Sequence, residues 1–232
     1  MTNHTNALGQ PIGAPLPGWT PASPPPRQPM DGHWCRLEPL NTERHARDLF
    51  DAFAADELGR SWTYSPSEPI TDFAAFQGWC TQKEAMEGWV HHAILNRETG
   101  KALGVASYLR IDPAVGSIEV GAIHYSPALQ RTPIATEAMY LLMRRVFDEL
   151  GYRRYEWKCD SLNEPSRQAA KRLGFTYEGR FRQATTYKNR NRDTDWFSIL
   201  DHEWPALKDA FEAWLNPANF DDDGQQQRSL RS

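Results

Sequence analysis

Long apolar runs are missing from this sequence. No stretch reaches the roughly 18 consecutive apolar residues of a membrane span, and the first residues hold no basic region followed by an apolar segment. The expected setting is therefore the cytoplasm, with no membrane partner. Cysteine is scarce: Cys35, Cys80 and Cys159 lie far apart in a chain of 232 residues, without a Cys-x-x-Cys pair or a histidine at ligand spacing. They read as small buried hydrophobes in a reducing compartment. His91 and His92 are adjacent, but neighbours on a strand point to opposite faces, so no metal site is expected. An excess of positive charge is lacking too: the net charge of -4 argues against broad nucleic-acid binding. Positive residues do gather late, at Arg167, Lys171, Arg172, Arg180, Arg182, Lys188, Arg190 and Arg192. Without regular aromatic interleaving they read as a solvated helix face and strand edges, with room for a local phosphate contact.

What is present suits one globular domain, with 40% hydrophobic and 24% charged residues. Residues 1–30 form a proline-rich, irregular leader, including Pro24-Pro25-Pro26, that drapes over the surface through Trp19. Residues 217–232, with Asp221-Asp222-Asp223-Gly224 and polar glutamines, read as a mobile acidic and polar tail. Between them, 31–216 alternates strands and helices. A strand over 33–37 precedes a helix capped by Asn41, with Ala46, Leu49, Phe50 and Phe53 on one face. A second helix follows Thr71, and strands 89–96 and 102–111 form a hairpin around Glu98-Thr99-Gly100-Lys101. After a strand over 117–125, Thr132 and Pro133 open a helix whose set Ala135, Met139, Leu142, Val146 and Leu150 ends at Gly151. A strand over 155–159, a helix over 163–173 closed by Gly174, strands over 175–187 and 195–200, and a helix over 204–215 complete the domain. The class is α/β of the α+β type, with helices covering a largely antiparallel sheet.

Two segments resemble the GNAT superfamily of acyltransferases. Glu119-Val120-Gly121, followed by Ser126-Pro127-Ala128-Leu129-Gln130-Arg131-Thr132-Pro133-Ile134-Ala135-Thr136, looks like the strand, loop and helix start that hold the pyrophosphate of coenzyme A. There the family loop runs Gln/Arg-x-x-Gly-x-Gly/Ala. Asp160-Ser161-Leu162-Asn163-Glu164-Pro165-Ser166, continuing through Leu173-Gly174-Phe175 to Glu178-Gly179, is similar to a run of the Rim-type branch, which acetylates ribosomal proteins and small amines. Together they span 117–179. The resemblance implies a mixed, mostly antiparallel central sheet of six to seven strands flanked by four to five helices.

It also implies an acyl-CoA-dependent N-acyltransferase working by direct attack in a ternary complex. Acetyl-CoA is the expected co-substrate, succinyl-CoA a variant of it, and the acceptor is an amine of a protein N-terminus or a small molecule; a homodimer is compatible with this. Physically, a helix N-terminus offers free amides and partial positive charge to a pyrophosphate. Pro133 stands where the family has glycine and removes one donor, leaving the amides of Ile134, Ala135 and Thr136, with Gln130, Arg131 and Thr132 in the loop. By resemblance, a backbone amide around Ile123, His124 and Tyr125 serves the oxyanion, Asn163 lies beside the pantetheine arm, and Ser166 protonates the leaving thiolate. Asn163 also reads as an ordinary N-cap. Glu119 and His124 are the candidate bases; on a regular strand their odd separation puts them on opposite faces, although the interval from Gly121 to Pro127 suggests a bulge. Thr185 occupies a position where some Rim-type enzymes carry glutamate. Trp62, Tyr64 and Tyr187 are the candidate acceptor contacts. Two other classes remain open: a non-catalytic acyl-CoA sensor, suggested by Pro133, and a nucleic-acid or ribosome-docking module using the late basic cluster.

Overall fold

The computed structural model describes residues 4–221 and 223–231; Met1 to Asn3 of the leader, and Asp222 and Ser232 of the tail, lie outside them. Four helices begin where the sequence supplies a side-chain oxygen for an orphan amide. Asn41 accepts from Arg44 at the head of α1 (Thr42–Ala54), and Asp72 from Ala75 at the head of α2 (Phe73–Glu84). Thr132 does so for Ala135 in α3 (Pro133–Arg144), and Asn163 for Ser166 in α4 (Glu164–Leu173). Gly174, at φ 103°, supplies the left-handed stop that ends α4. The last helix, α5 (Trp204–Leu215), has no side-chain cap.

The strands are β1 (His4–Thr5), β2 (Pro11–Ile12), β3 (Met30–Asp31), β4 (Cys35–Pro39), β5 (Val90–Asn96), β6 (Ala102–Asp112), β7 (Ser117–Tyr125), β8 (Arg154–Asp160), β9 (Thr176–Tyr187) and β10 (Arg190–Leu200). An eight-stranded sheet runs β3-β4-β5-β6-β7-β8-β10-β9, and its single parallel pairing is β7 with β8. This is the expected architecture with one strand more: β3 has two residues, too few to show a period of two in sequence.

Two cores occupy the two faces of the sheet. On one, Ile94, Tyr108, Ile118, Val120, Tyr155 and Phe197 pack with Met139, Leu142 and Phe211 of α3 and α5. On the other, Ala93, Leu95 and Val105 pack with Leu49, Phe53 and Phe76 of α1 and α2. The leader runs over the first face. Arg145, just past α3, donates to the carbonyls of Gln28 and Pro29 at 2.7 and 3.0 Å, and Trp19 lies against Arg153. Within the leader, β1 and β2 form a short hairpin where irregular chain was expected. The tail folds back in place of trailing free, because Phe220 and Leu230 give its polar sequence apolar anchors. Phe220 packs edge-on against Trp34 and Trp214, and Leu230 is buried. No helix among the described residues is long and apolar enough to cross a membrane.

Candidate active site

The site begins where two strands part. The parallel ladder between β7 and β8 runs from Ser117–Arg154 to Val120–Trp157 and ends there. Beyond it β8 stays with β10 as far as Asp160, while β7 stays with β6. On β7, Gly121 faces Ser107 and His124 faces Val105, so Ala122 and Ile123 share the single residue Ala106 across the ladder. This is the bulge suggested by the sequence, and Ala122 carries it at φ 47°. Ala122 is exposed and Ile123 half-buried beside the gap, so backbone of the bulged strand borders the opening. Ser166 sits at the apex: its Oγ accepts from Nε1 of Trp157, the last residue of β8 paired with β7, at 3.0 Å. Accepting that bond leaves the serine hydrogen available to donate elsewhere.

The head of α3 flanks the same opening. The loop from Ser126 to Arg131 is pressed onto the start of β6, where a β-carbon on Gly104 would stand 2.5 Å from Leu129 Cδ2. Gln130 Nε2 donates to the Tyr125 carbonyl at 3.0 Å, and Arg131 is left-handed at φ 61°. Thr132 Oγ1 donates to the Leu129 carbonyl at 2.7 Å and accepts from the Ala135 amide at 3.2 Å. Of the three amides expected to face an anion, that of Ala135 is thus engaged in holding the helix, and that of Ile134 has no acceptor among the described residues. Pro133 fills the first helical position, where its missing amide costs the helix nothing. From α4, Arg172 Nη1 donates to Thr136 Oγ1 at 3.1 Å, which brings one member of the late basic cluster to the first turn of α3.

The two candidate bases share a face. Ile118 and Val120 point into the α3 core, so Glu119 and Gly121 point the other way, and the bulge returns His124 to that same side, against Phe53 and Trp62. The expectation of opposite faces fails because the extra residue resets the alternation. Glu119 faces Leu109 and His124 faces Val105, four residues apart along β6, a separation of about 13 Å. One amine cannot touch both. The His124 ring lies 4.0 Å from the Trp62 ring, and its Nε2 is 3.4 Å from Ser61 Oγ. Burial pushes its pKa down to about 4, so it is neutral near pH 7 and a weak proton acceptor. Glu119 is buried as well, but its Oε2 accepts from Arg110 Nη1 at 2.7 Å and lies 2.8 Å from Lys158 Nζ.

The expected acceptor contacts play different parts. Trp62 is only 3% exposed and belongs to the α1–α2 core, so its ring is not a lining residue; its carbonyl accepts from Lys188 Nζ at 2.9 Å. Tyr64 Oη donates to the Leu162 carbonyl and Tyr187 Oη to Asp160 Oδ2, both at 2.8 Å. The α1–α2 connection and the β9–β10 hairpin are thereby tied together and to the turn before α4, close to the strand opening. Thr185 is exposed on β9 opposite Arg192. Trp157, Lys158, Glu156 and Arg110 were not singled out from sequence. The alternation of Arg154, Glu156, Lys158 and Asp160 with Tyr155, Trp157 and Cys159 was the available signal, since it sets the charges on one face of β8.

Comparison with known proteins agrees with this arrangement. A crystal structure of a GCN5-related N-acetyltransferase from Brucella melitensis is 46% identical, with a TM-score of 0.90 over 93% of this chain and 97% of that one. One from Chromobacterium violaceum ATCC 12472, described as "probable acetyltransferases (GNAT family)", is 41% identical, with a TM-score of 0.78 over 84% of this chain and 98% of that one. Among curated proteins, "Uncharacterized N-acetyltransferase YnaD" of Bacillus subtilis (strain 168) is 29% identical over 86 residues, which are 37% of this chain and half the length of that relative. The sequence profile of the family described as "Acetyltransferase (GNAT) domain" matches residues 35–176. Matched by that profile over more than half its length, the chain belongs to the GNAT family of N-acetyltransferases.

Proposed function

We propose that this protein transfers the acetyl group of acetyl-CoA to a primary amine, as the Rim-type branch does, and that it works in the cytoplasm without a metal. The observation that carries this is the parting of β7 and β8 past Val120 and Trp157, with the heads of α3 and α4 on either side. A pantetheine arm needs such a gap between strands, and a pyrophosphate needs free amides at a helix head. Ile134 supplies one amide there, and Asn163, already bonded to the Ser166 amide at 3.1 Å, stands beside the gap with its side-chain nitrogen free to donate to the arm.

In this reading the amine nitrogen attacks the thioester carbonyl carbon and a C–N bond forms. The oxygen becomes an oxyanion beside the backbone of Ala122 and Ile123. Glu119 takes the proton released by the nitrogen, directly or through one water, and later returns it to solvent. Collapse breaks the C–S bond, Ser166 gives its hydrogen to the departing sulfur, and solvent restores the serine. The products are free coenzyme A and the acetylated amine. Glu119 is preferred to His124 because the histidine ring is enclosed by Phe53, Trp62 and Trp79. The acceptor is a protein N-terminus or a small polyamine or aminoglycoside.

The test is thiol release from acetyl-CoA in the presence of peptides with free N-termini, spermidine and aminoglycosides, with calorimetry of acetyl-CoA binding alongside. Binding with turnover on one of these classes is expected. Binding without turnover on any amine points to a sensor instead, and failure to bind acetyl-CoA removes the proposal.

A further inference from the structure

On the side of the sheet that carries α1 and α2, a row of alternating charges crosses from β6 to β9. Arg110 Nη1 is 2.7 Å from Glu119 Oε2, and that oxygen is 2.8 Å from Lys158 Nζ. Lys158 Nζ is also 2.8 Å from Glu156 Oε2, and Arg154 joins Glu156 to Glu178. The register builds this row. Glu119 stands opposite Glu156 in the parallel ladder, so two carboxylates come side by side, and Lys158, two residues further along the same face, reaches back to both. Its side chain is 5% exposed, and its ammonium lies 3.6 Å from the centre of the Trp196 ring, which faces it across the β8–β10 ladder. The nitrogen is held on three sides.

The two oxygens of Glu119 are unequal. Both cations fall on Oε2, whereas Oε1 lies over Gly121, 3.1 Å from where a β-carbon would stand. Gly121 is the last paired residue before the bulge. A buried carboxylate is oriented by the opposite charge in contact with it. Arg110 from β6 and Lys158 from β8 supply that charge, Glu156 opposes it, and no other charged group is in ion-pair contact with Glu119 among the described residues. Arg110 is well exposed, so the fixed cation is Lys158.

We propose that Lys158 is a positioning residue for proton transfer: clamped between Glu156 and Trp196, it holds Oε2 of Glu119 and so turns Oε1 toward the bulge where the amine attacks. This rests on the acetyltransferase reading above, with Glu119 as the base.

The experiment compares the wild type with Glu119→Gln, Lys158→Gln, Lys158→Arg and the double variant Lys158→Gln/Glu156→Gln, in which the row keeps equal numbers of each charge. Thiol release from acetyl-CoA is followed across pH with the best amine of the panel, and a crystal structure of the double variant is determined. Both variants carrying Lys158→Gln are expected to lose kcat by about tenfold or more, with KM for acetyl-CoA within about twofold. Lys158→Arg should restore most of kcat. In the crystal, Oε1 should leave its place over Gly121. If Lys158→Gln does not fold, the double variant decides. A double variant with wild-type kcat, or with Oε1 still over Gly121, overturns the proposal. Full activity in Glu119→Gln would instead refute the base assignment. A wild type inert toward every amine would refute the acetyltransferase reading, and the crystal comparison would still judge the role of Lys158.

Discussion

Ser166 and Asn163 sit one turn apart at the head of α4 with separable tasks. Asn163 caps the helix through the Ser166 amide, so Asn163→Ala should cost about 1 kcal/mol of stability. A calorimetric scan would show this as a drop of a few degrees, and its acetyl-CoA affinity should weaken if the side chain also reaches the pantetheine. Ser166 has a lighter structural load, one bond from the Trp157 indole. Ser166→Ala should therefore melt near the wild type yet lower kcat by roughly 100- to 10,000-fold, the range for loss of a general acid. Unchanged turnover in a thiol-release assay would remove its role. These residues were legible because the family motif and the capping rule select the same positions. Glu119 and His124 were visible as chemistry but not as geometry, since one unpaired residue at Ala122 inverts every facing prediction beyond it. Trp62 departs from its expected part for a different reason: an aromatic between two helices gives no sequence sign of whether its ring joins the core or stays open to a ligand, and here it joins the core.

At the scale of the element, α3 shows how one substitution trades binding against order. Pro133 fixes the first helical residue and forgoes an amide at the anion-facing end. Pro133→Gly should return that amide and tighten acetyl-CoA by about two- to fivefold, the worth of one modest hydrogen bond. It should also lower the melting temperature by a few degrees, because glycine gives the unfolded chain more freedom. Titration calorimetry and a thermal scan on the same sample read both changes, and weaker binding in Pro133→Gly would show that this helix end does not face the pyrophosphate. The helices themselves were readable because Asn41, Thr132, Asn163 and Gly174 are local signals. The tail was harder: its polar composition hides that Phe220 and Leu230 find partners far along the chain.

For the molecule as a whole, stability is concentrated where α3 meets the chain leading into β4. The Glu137 carboxylate accepts from the amides of His33, Trp34 and Cys35, each at 2.7 Å. Glu137→Ala leaves them without an acceptor at a cost of about 3 to 5 kcal/mol, given charge-assisted bonds of roughly 1.5 to 3 kcal/mol that are not additive. At about 2 to 4 °C per kcal/mol for a chain of this size, the melting temperature should fall by about 10 °C. A fall of only one or two degrees would mean that the contact is dispensable. Acid provides a second test. Burial holds His91 and His92 at a pKa of about 3 and His124 at about 4, against an ordinary value near 6.5. Above that ordinary value both folded and unfolded chains are neutral at these rings; below it only the unfolded chain takes up protons. Stability should therefore be full above pH 6.5 and fall as the medium is acidified toward pH 3 to 4, by at most about 1.4 kcal/mol per pH unit for each ring. Replacing His92 with Phe should flatten that decline, as read from melting temperatures across the acid range. The order of the sheet has a consequence for synthesis. Because β10 lies between β8 and β9, the nascent chain cannot seat β9 until residues 190–200 have left the ribosome, so the two strands beyond β8 are assembled as a hairpin arriving late against an edge already made.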